Sequence, residues 1–102
     1  MPAKLLRHVV LFSFKTTTTL EQLQQIEATF AALPEQIDVI HAFEWGTDVS
    51  VENLSQGYSH CFLVTFLDEA GRDAYLPHPA HQAFVRLAEP HLAQVCVFDY
   101  WG

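Results

Sequence analysis

The sequence predicts an α+β fold with the element order β-α-β-β-α-β. Three observations carry this: segments of alternating apolar residues, two stretches of helical period between them, and prolines standing where helices must begin or stop. Half of the 102 residues are hydrophobic and 17% are charged, so the chain is expected to fold rather than stay disordered. That length fits one domain, taken as residues 1–102. A chain so short buries only about two-thirds of its unfolded surface. Its 13% aromatic content offsets this, because aromatic side chains bury large areas.

The first strand is Leu5 to Lys15. One of its faces carries Leu6, His8, Val10, Phe12 and Phe14; the other carries Arg7, Val9, Leu11, Ser13 and Lys15. The period then changes, with Leu20, Leu23, Ile26, Phe30 and Leu33 at helical spacing, a threonine at 18 or 19 as N-cap, and Pro34 as the stop. Asp38 to Trp45 reads as the second strand, followed by a polar connection from Gly46 to Gly57. Tyr58 to Leu67 is the third strand, and the segment after it forms a short helix broken before Pro77. Pro79 opens the next helix, where its missing N–H costs nothing, and it holds His78 extended. His81, Phe84, Val85 and Ala88 share one face of that helix, with Leu87 widening the stripe, and Pro90 ends it. Val95 to Trp101 closes the order as the fourth strand.

This is the ferredoxin-like arrangement, one antiparallel four-stranded sheet with its helices on one face. Helices on one face leave the other bare, exposing residues such as Val9, Leu11, Leu63 and Leu67. An apolar patch of that size predicts a homodimer in which two sheets pack face to face. The usual strand order sets Cys61 and Cys96 two strands apart, roughly 9–10 Å. That exceeds the Cα separation of about 7 Å that a disulfide tolerates, so both are expected as free, buried thiols. Trp45 and Trp101 are read as packing or interface residues. Asp99, a charge in an apolar run, is a candidate to pair with Arg7 across the dimer.

The net charge is −7, and the five basic residues form no cluster in sequence. Gripping a phosphate backbone needs converging cations, so nucleic acid and anionic membrane are poor partners. No apolar run is long enough to span a bilayer, and Arg7 and His8 interrupt the N-terminal one, which argues against a signal peptide. The expected location is cytoplasmic, in keeping with free thiols.

The segments HVVLFSFK, FEWGTDVS, ENLSQGYSH, VTFLDEAGRDAYLPHPAHQAF and VFDYW together resemble the stress-responsive A/B barrel family, also called Dabb proteins. The most specific element is YLPHPAH, residues 75 to 81. The resemblance implies a dimeric α/β barrel of ferredoxin-like protomers and leaves activity open. Family members include stress-induced plant proteins and a plant polyketide cyclase that closes a linear tetraketide thioester by aldol condensation. In that cyclase a tyrosine and a histidine of the matching motif act together, which implies roles for Tyr75 and His81. Its cavity-lining histidines match His8 and His60, and a tyrosine on its first helix falls at Phe30.

The residues themselves admit three readings. In the first, His81, His8 and His60 converge on an apolar pocket where Phe84 lies and Ala88 leaves room. Burial keeps imidazole neutral, so His81 serves as a base toward carbon next to a carbonyl while Tyr75 donates to the developing oxyanion. The ligand is then a small hydrophobic carbonyl compound, with no cofactor and no metal. In the second, the protein is a non-catalytic stress or stability protein and the histidines are hydrogen-bonded core residues. In the third, it is a monooxygenase like other dimeric ferredoxin-like barrels, although no cofactor motif supports that. A zinc or iron site from His78 and His81 with His8 and His60 is the lesser alternative, because the H-x-x-H spacing departs from helix zincins. His41 and His91 are read as solvent or seam residues. Glu44, Asp48 and Glu52 are read as solvated surface, with a weak Mg²⁺ or Ca²⁺ site as the lesser alternative.

Overall fold

The computed structural model describes residues 4–102. Four strands, β1 (Leu6–Phe14), β2 (Ala42–Thr47), β3 (His60–Phe66) and β4 (Leu92–Trp101), form one antiparallel sheet in the order β2-β3-β1-β4. Four helices, α1 (Leu20–Ala31), α2 (Leu33–Gln36), α3 (Glu69–Tyr75) and α4 (Pro79–Ala88), connect them, and a 3-10 turn at Glu89–His91 leads into β4. The architecture is the ferredoxin-like fold; α3 is the short helix expected before Pro77, and α2 is a further short helix not in the expected order.

Alternation in β1 decides which side is the core. Leu6, His8, Val10 and Phe12 are buried, while Arg7, Val9 and Leu11 are only half-buried. On β3 the inner residues are His60, Phe62, Val64 and Phe66. Phe30 of α1 stacks on Phe62 with ring centroids 4.1 Å apart and meets Phe84 of α4 at 4.6 Å. These aromatic contacts fasten both long helices to one sheet face.

The helix termini follow from local chemistry. Thr19 caps α1 in a reciprocal box with Gln22, whose backbone N–H reaches the Thr19 hydroxyl at 3.2 Å while its side chain takes the Thr19 N–H at 2.9 Å. Asp68 caps α3 by accepting the Gly71 N–H at 2.9 Å.

Four expectations need correction. Pro34 does not stop helical structure; it sits in the first turn of α2, where no N–H is required. The second strand begins at Ala42 rather than Asp38. Ile37 ends α2 and is fully buried, and the Ile40 N–H bonds back to the Ile37 carbonyl in a turn, so this apolar run packs as a connector. Cys61 and Cys96 are free, as expected, but Cys61 is exposed and Cys96 only half-buried. Both flank Leu11 on the outer sheet face. Finally, Asp99 does not await Arg7. The register sets Asp99 beside His8 and on the inner face, while the Arg7 guanidinium lies outside and donates to the Thr65 hydroxyl at 3.1 Å.

Candidate functional site

The junction of α3 and α4 builds the site. Tyr75 is the last residue of α3, and Pro77 cannot continue the helix. His78 then caps α4, its Nδ1 accepting the Ala80 N–H at 3.0 Å, and Pro79 takes the first helical position. The residue that looked like one half of a metal pair is therefore a helix cap. Three residues on, His81 turns back to the same junction, and its Nδ1–H donates to the Leu76 carbonyl at 2.8 Å. The Gln82 side-chain amide donates to that carbonyl as well, also at 2.8 Å. With Nδ1 committed as donor, the neutral His81 ring carries its free lone pair on Nε2.

The Tyr75 and His81 rings lie 4.4 Å apart, centroid to centroid, and the His8 ring lies 5.9 Å from that of Tyr75. Tyr75 is fully buried. Among the described residues its hydroxyl has no hydrogen-bond partner. Burial pushes the phenol well above its ordinary pKa, so it is a donor at every physiological pH. The His81 pKa is lowered, chiefly because burial disfavours the charged ring. The bond to Leu76 pulls the other way, and like charge on His8 and His78 adds to the lowering. His8 is held by Asp99, whose Oδ1 takes the Nδ1–H at 2.7 Å, and Arg72 in turn reaches the other Asp99 oxygen at 3.4 Å.

These groups border a cavity of about 560 Å³ between the sheet and α3–α4. His8, Phe30, Tyr75, His81, Phe84 and Ala88 all line it. The opposite wall is β4, where Val95 and Val97 are about half exposed, so the hollow opens beside the sheet edge. A volume in this range, with apolar walls and a few converging polar groups, suits a small organic molecule.

His60 does not join them. It is buried near the other end of the sheet, with Nε2 bonded to Glu27 at 2.7 Å and Nδ1 to the Ser59 hydroxyl at 2.7 Å. Trp45 stacks over it, 6.1 Å away and nearly parallel. Both ring nitrogens are spent on neighbours, so the expected convergence of three histidines reduces to two. Among the described residues no three His, Cys, Asp or Glu side chains are grouped to hold a metal ion. Asp48 instead accepts the Ser50 N–H at 3.0 Å, and its pKa is lowered by that bond and by Ser55. His41 is exposed just before β2, and the His91 carbonyl accepts the Lys15 N–H at 2.8 Å.

A hollow bordered by Tyr75 and by His81, within the YLPHPAH segment, is joined by one sequence-wide match. Residues 6–102 fit the family model described as the Stress responsive A/B Barrel Domain. The chain belongs to this family. It is 40% identical over 94 residues to the Arabidopsis thaliana stress-response A/B barrel domain-containing protein HS1, covering 92% of this chain and 86% of the relative. It is 30% identical over 94 residues to olivetolic acid cyclase of Cannabis sativa, covering 92% and 93%. Among solved structures, a hydroxynitrile lyase from Passiflora edulis superposes with a TM-score of 0.92 at 25% identity, covering 99% of this chain and 95% of that one. A dimeric ferredoxin-like protein of unknown function from Thermobifida fusca gives a TM-score of 0.83 at 25% identity, covering 98% and 92%.

Within this A/B barrel chain, three charged partners, two in the site and one outside it, go beyond the expectations from sequence. Asp99 is the partner of His8, and antiparallel pairing of the first and last strands, which the fold implies, was the signal available for it. Arg72 on α3 joins that pair through Asp99 and also bonds Asp73 at 3.1 Å. Glu27 partners His60 from α1; its place one residue after Ile26 and three before Phe30 put it at the edge of the buried stripe. Among the described residues no helix is long and apolar enough to cross a membrane.

Proposed function

We propose that this A/B barrel protein binds a carbonyl-containing apolar metabolite in the Tyr75–His81 cavity and transforms it by acid–base chemistry of the lyase or cyclase type. The observation that carries this is the Tyr75 hydroxyl, buried in the cavity wall beside His81 and without a partner among the described residues. A buried hydroxyl left unpaired costs roughly 1–3 kcal/mol, so a role in ligand recognition accounts for its retention. A carbonyl oxygen that reaches this hydroxyl, which neighbouring side chains now cover, would supply an acceptor.

The chemistry follows from the two groups. His81 Nε2 removes a proton from the carbon next to the carbonyl. The C–H electron pair forms a C=C bond to the carbonyl carbon, the C=O π pair moves onto oxygen to give the enolate, and the Tyr75 O–H donates to that oxygen. The lowered His81 pKa keeps the ring neutral and basic near pH 7. A cyclase and a lyase among the similar proteins are consistent with this class of step. His8, held by Asp99, lines the same cavity and contacts the ligand. The structural reading of the histidines suits His60 and His78, whose bonds are satisfied within the fold, but it gives no account of Tyr75.

The protein acts as a homodimer through the outer sheet face, in the cytoplasm. Val9, Leu11 and Leu63 lie on that face, with Phe98 64% exposed beside them. The dimeric Thermobifida fusca relative supports the pairing.

Native mass spectrometry of the freshly purified protein tests the reading. A co-purified neutral small molecule lost in His81→Ala and Tyr75→Phe supports it. Once a substrate is identified, His81→Ala should lower turnover at least about a hundredfold with the fold intact, and unchanged turnover would remove His81 from the mechanism.

A further inference from the structure

Resting on the binding role proposed for the Tyr75–His81 cavity, we infer that the cavity selects an electrically neutral carbonyl compound, a ketone or aldehyde on an aryl or alkyl chain, and discriminates against carboxylates and phosphate-bearing thioesters.

The inference comes from the charges around the hollow. Among the described residues Arg72 is the one lysine or arginine that lines it. That guanidinium is already engaged: its Nε lies 3.1 Å from Asp73, its Nη1 3.4 Å from Asp99, and its Nη2 4.0 Å from Glu69. Asp73, Asp99 and Glu89 line the same cavity. Three lining carboxylates against one cation leave an acidic rim, and the whole chain adds a net charge of −7. The remaining wall is apolar, with Phe12, Phe30, Phe84, Val85, Val95 and Val97.

An anionic head group entering this space would lose water without gaining a counter-charge. To recruit Arg72 it would have to compete with Asp73 and Asp99 for one guanidinium, and Asp99 is also the carboxylate that holds His8 at 2.7 Å. Burying an unpaired charge is far more costly than burying a carbonyl, which asks only for one donor. Tyr75 is such a donor, and a single O–H serves a neutral oxygen well.

The test uses an isosteric pair, 4-phenyl-2-butanone and 3-phenylpropanoate, in which a methyl group is exchanged for a charged oxygen. Affinities for the wild-type protein are measured by calorimetry at pH 7.5 and low salt. The ketone should bind at least about tenfold more tightly than the acid. Glu89→Gln combined with Asp73→Asn should narrow that ratio, improving the acid by more than any change in the ketone. Equal or tighter binding of the acid would overturn the inference while leaving the cavity reading intact. Failure of both compounds to bind would remove both. Ketone binding that is unaffected by Tyr75→Phe would remove the hydrogen-bond reading of Tyr75 and leave charge selection standing.

Discussion

The Tyr75 ring lies 4.4 Å from the His81 ring at the junction of α3 and α4, yet the two differ in how they are satisfied. His81 is tied to the Leu76 carbonyl by one nitrogen, whereas the Tyr75 hydroxyl has no partner among the described residues. One group is positioned and the other is held in reserve, an arrangement that favours function over stability.

Tyr75→Phe separates those two quantities. Removing an unpaired buried hydroxyl while keeping the ring should leave the ligand-free protein as stable as the wild type or more stable, by about 1 kcal/mol. Ligand affinity should fall in the same variant. Urea unfolding and calorimetric titration on one preparation measure both, and a clear loss of stability would mean that the hydroxyl has a partner after all.

The lowered His81 pKa sets a pH window. An unfolded histidine takes up its proton near pH 6.5, at about its ordinary pKa. The folded ring does so only at lower pH. Between those values the unfolded chain binds more protons, so the contribution to stability is complete above about pH 6.5 and is lost as the pH falls toward the folded pKa. The acid limb of turnover should likewise lie below pH 6.5, at roughly the folded value. Urea midpoints measured across this range should flatten in His81→Gln relative to wild type; an unchanged slope would assign the pH dependence to other groups.

Glu27→Gln should weaken the fold without touching the cavity. The Glu27 carboxylate bonds His60 at 2.7 Å, and the His60 side chain is only 4% exposed. Replacing this charge-assisted bond should cost about 1–3 kcal/mol. Ketone affinity should not change, because His60 does not line the cavity. A parallel loss of affinity would place His60 in the site.

Leu63→Asp tests the proposed dimer. Leu63 pairs with Val9 on the outer face, and an aspartate there would bury an unpaired charge in the apolar contact proposed between protomers. Analytical ultracentrifugation should show a dimer for the wild type and a monomer for the variant at micromolar concentration. A wild-type monomer would leave the apolar face without an explanation.

Much of this organisation was legible in the chain itself. The alternation of His8, Val10 and Phe12 announced both a strand and its buried face, and Pro79 announced the start of α4. Local patterns misled where two rules compete. Pro34 stops one helix and equally well starts another, and the run around Val39 and Ile40 is apolar because a turn packs it on the core. His60 could not be distinguished from His8 by periodicity, since both point inward; only the positions of Glu27 and Asp99 in space separate a structural histidine from a cavity one. That the Tyr75 hydroxyl finds no partner among the described residues was invisible in sequence, because it is a property of everything that fails to reach it.

The most direct test of the central claim is the carbon-13 resonance of 4-phenyl-2-butanone labelled at its carbonyl and bound to the protein. A hydrogen bond from Tyr75 should move the bound carbonyl signal downfield of its position in an apolar solvent, and Tyr75→Phe should return it. A bound signal at the same frequency in wild type and Tyr75→Phe would contradict the account.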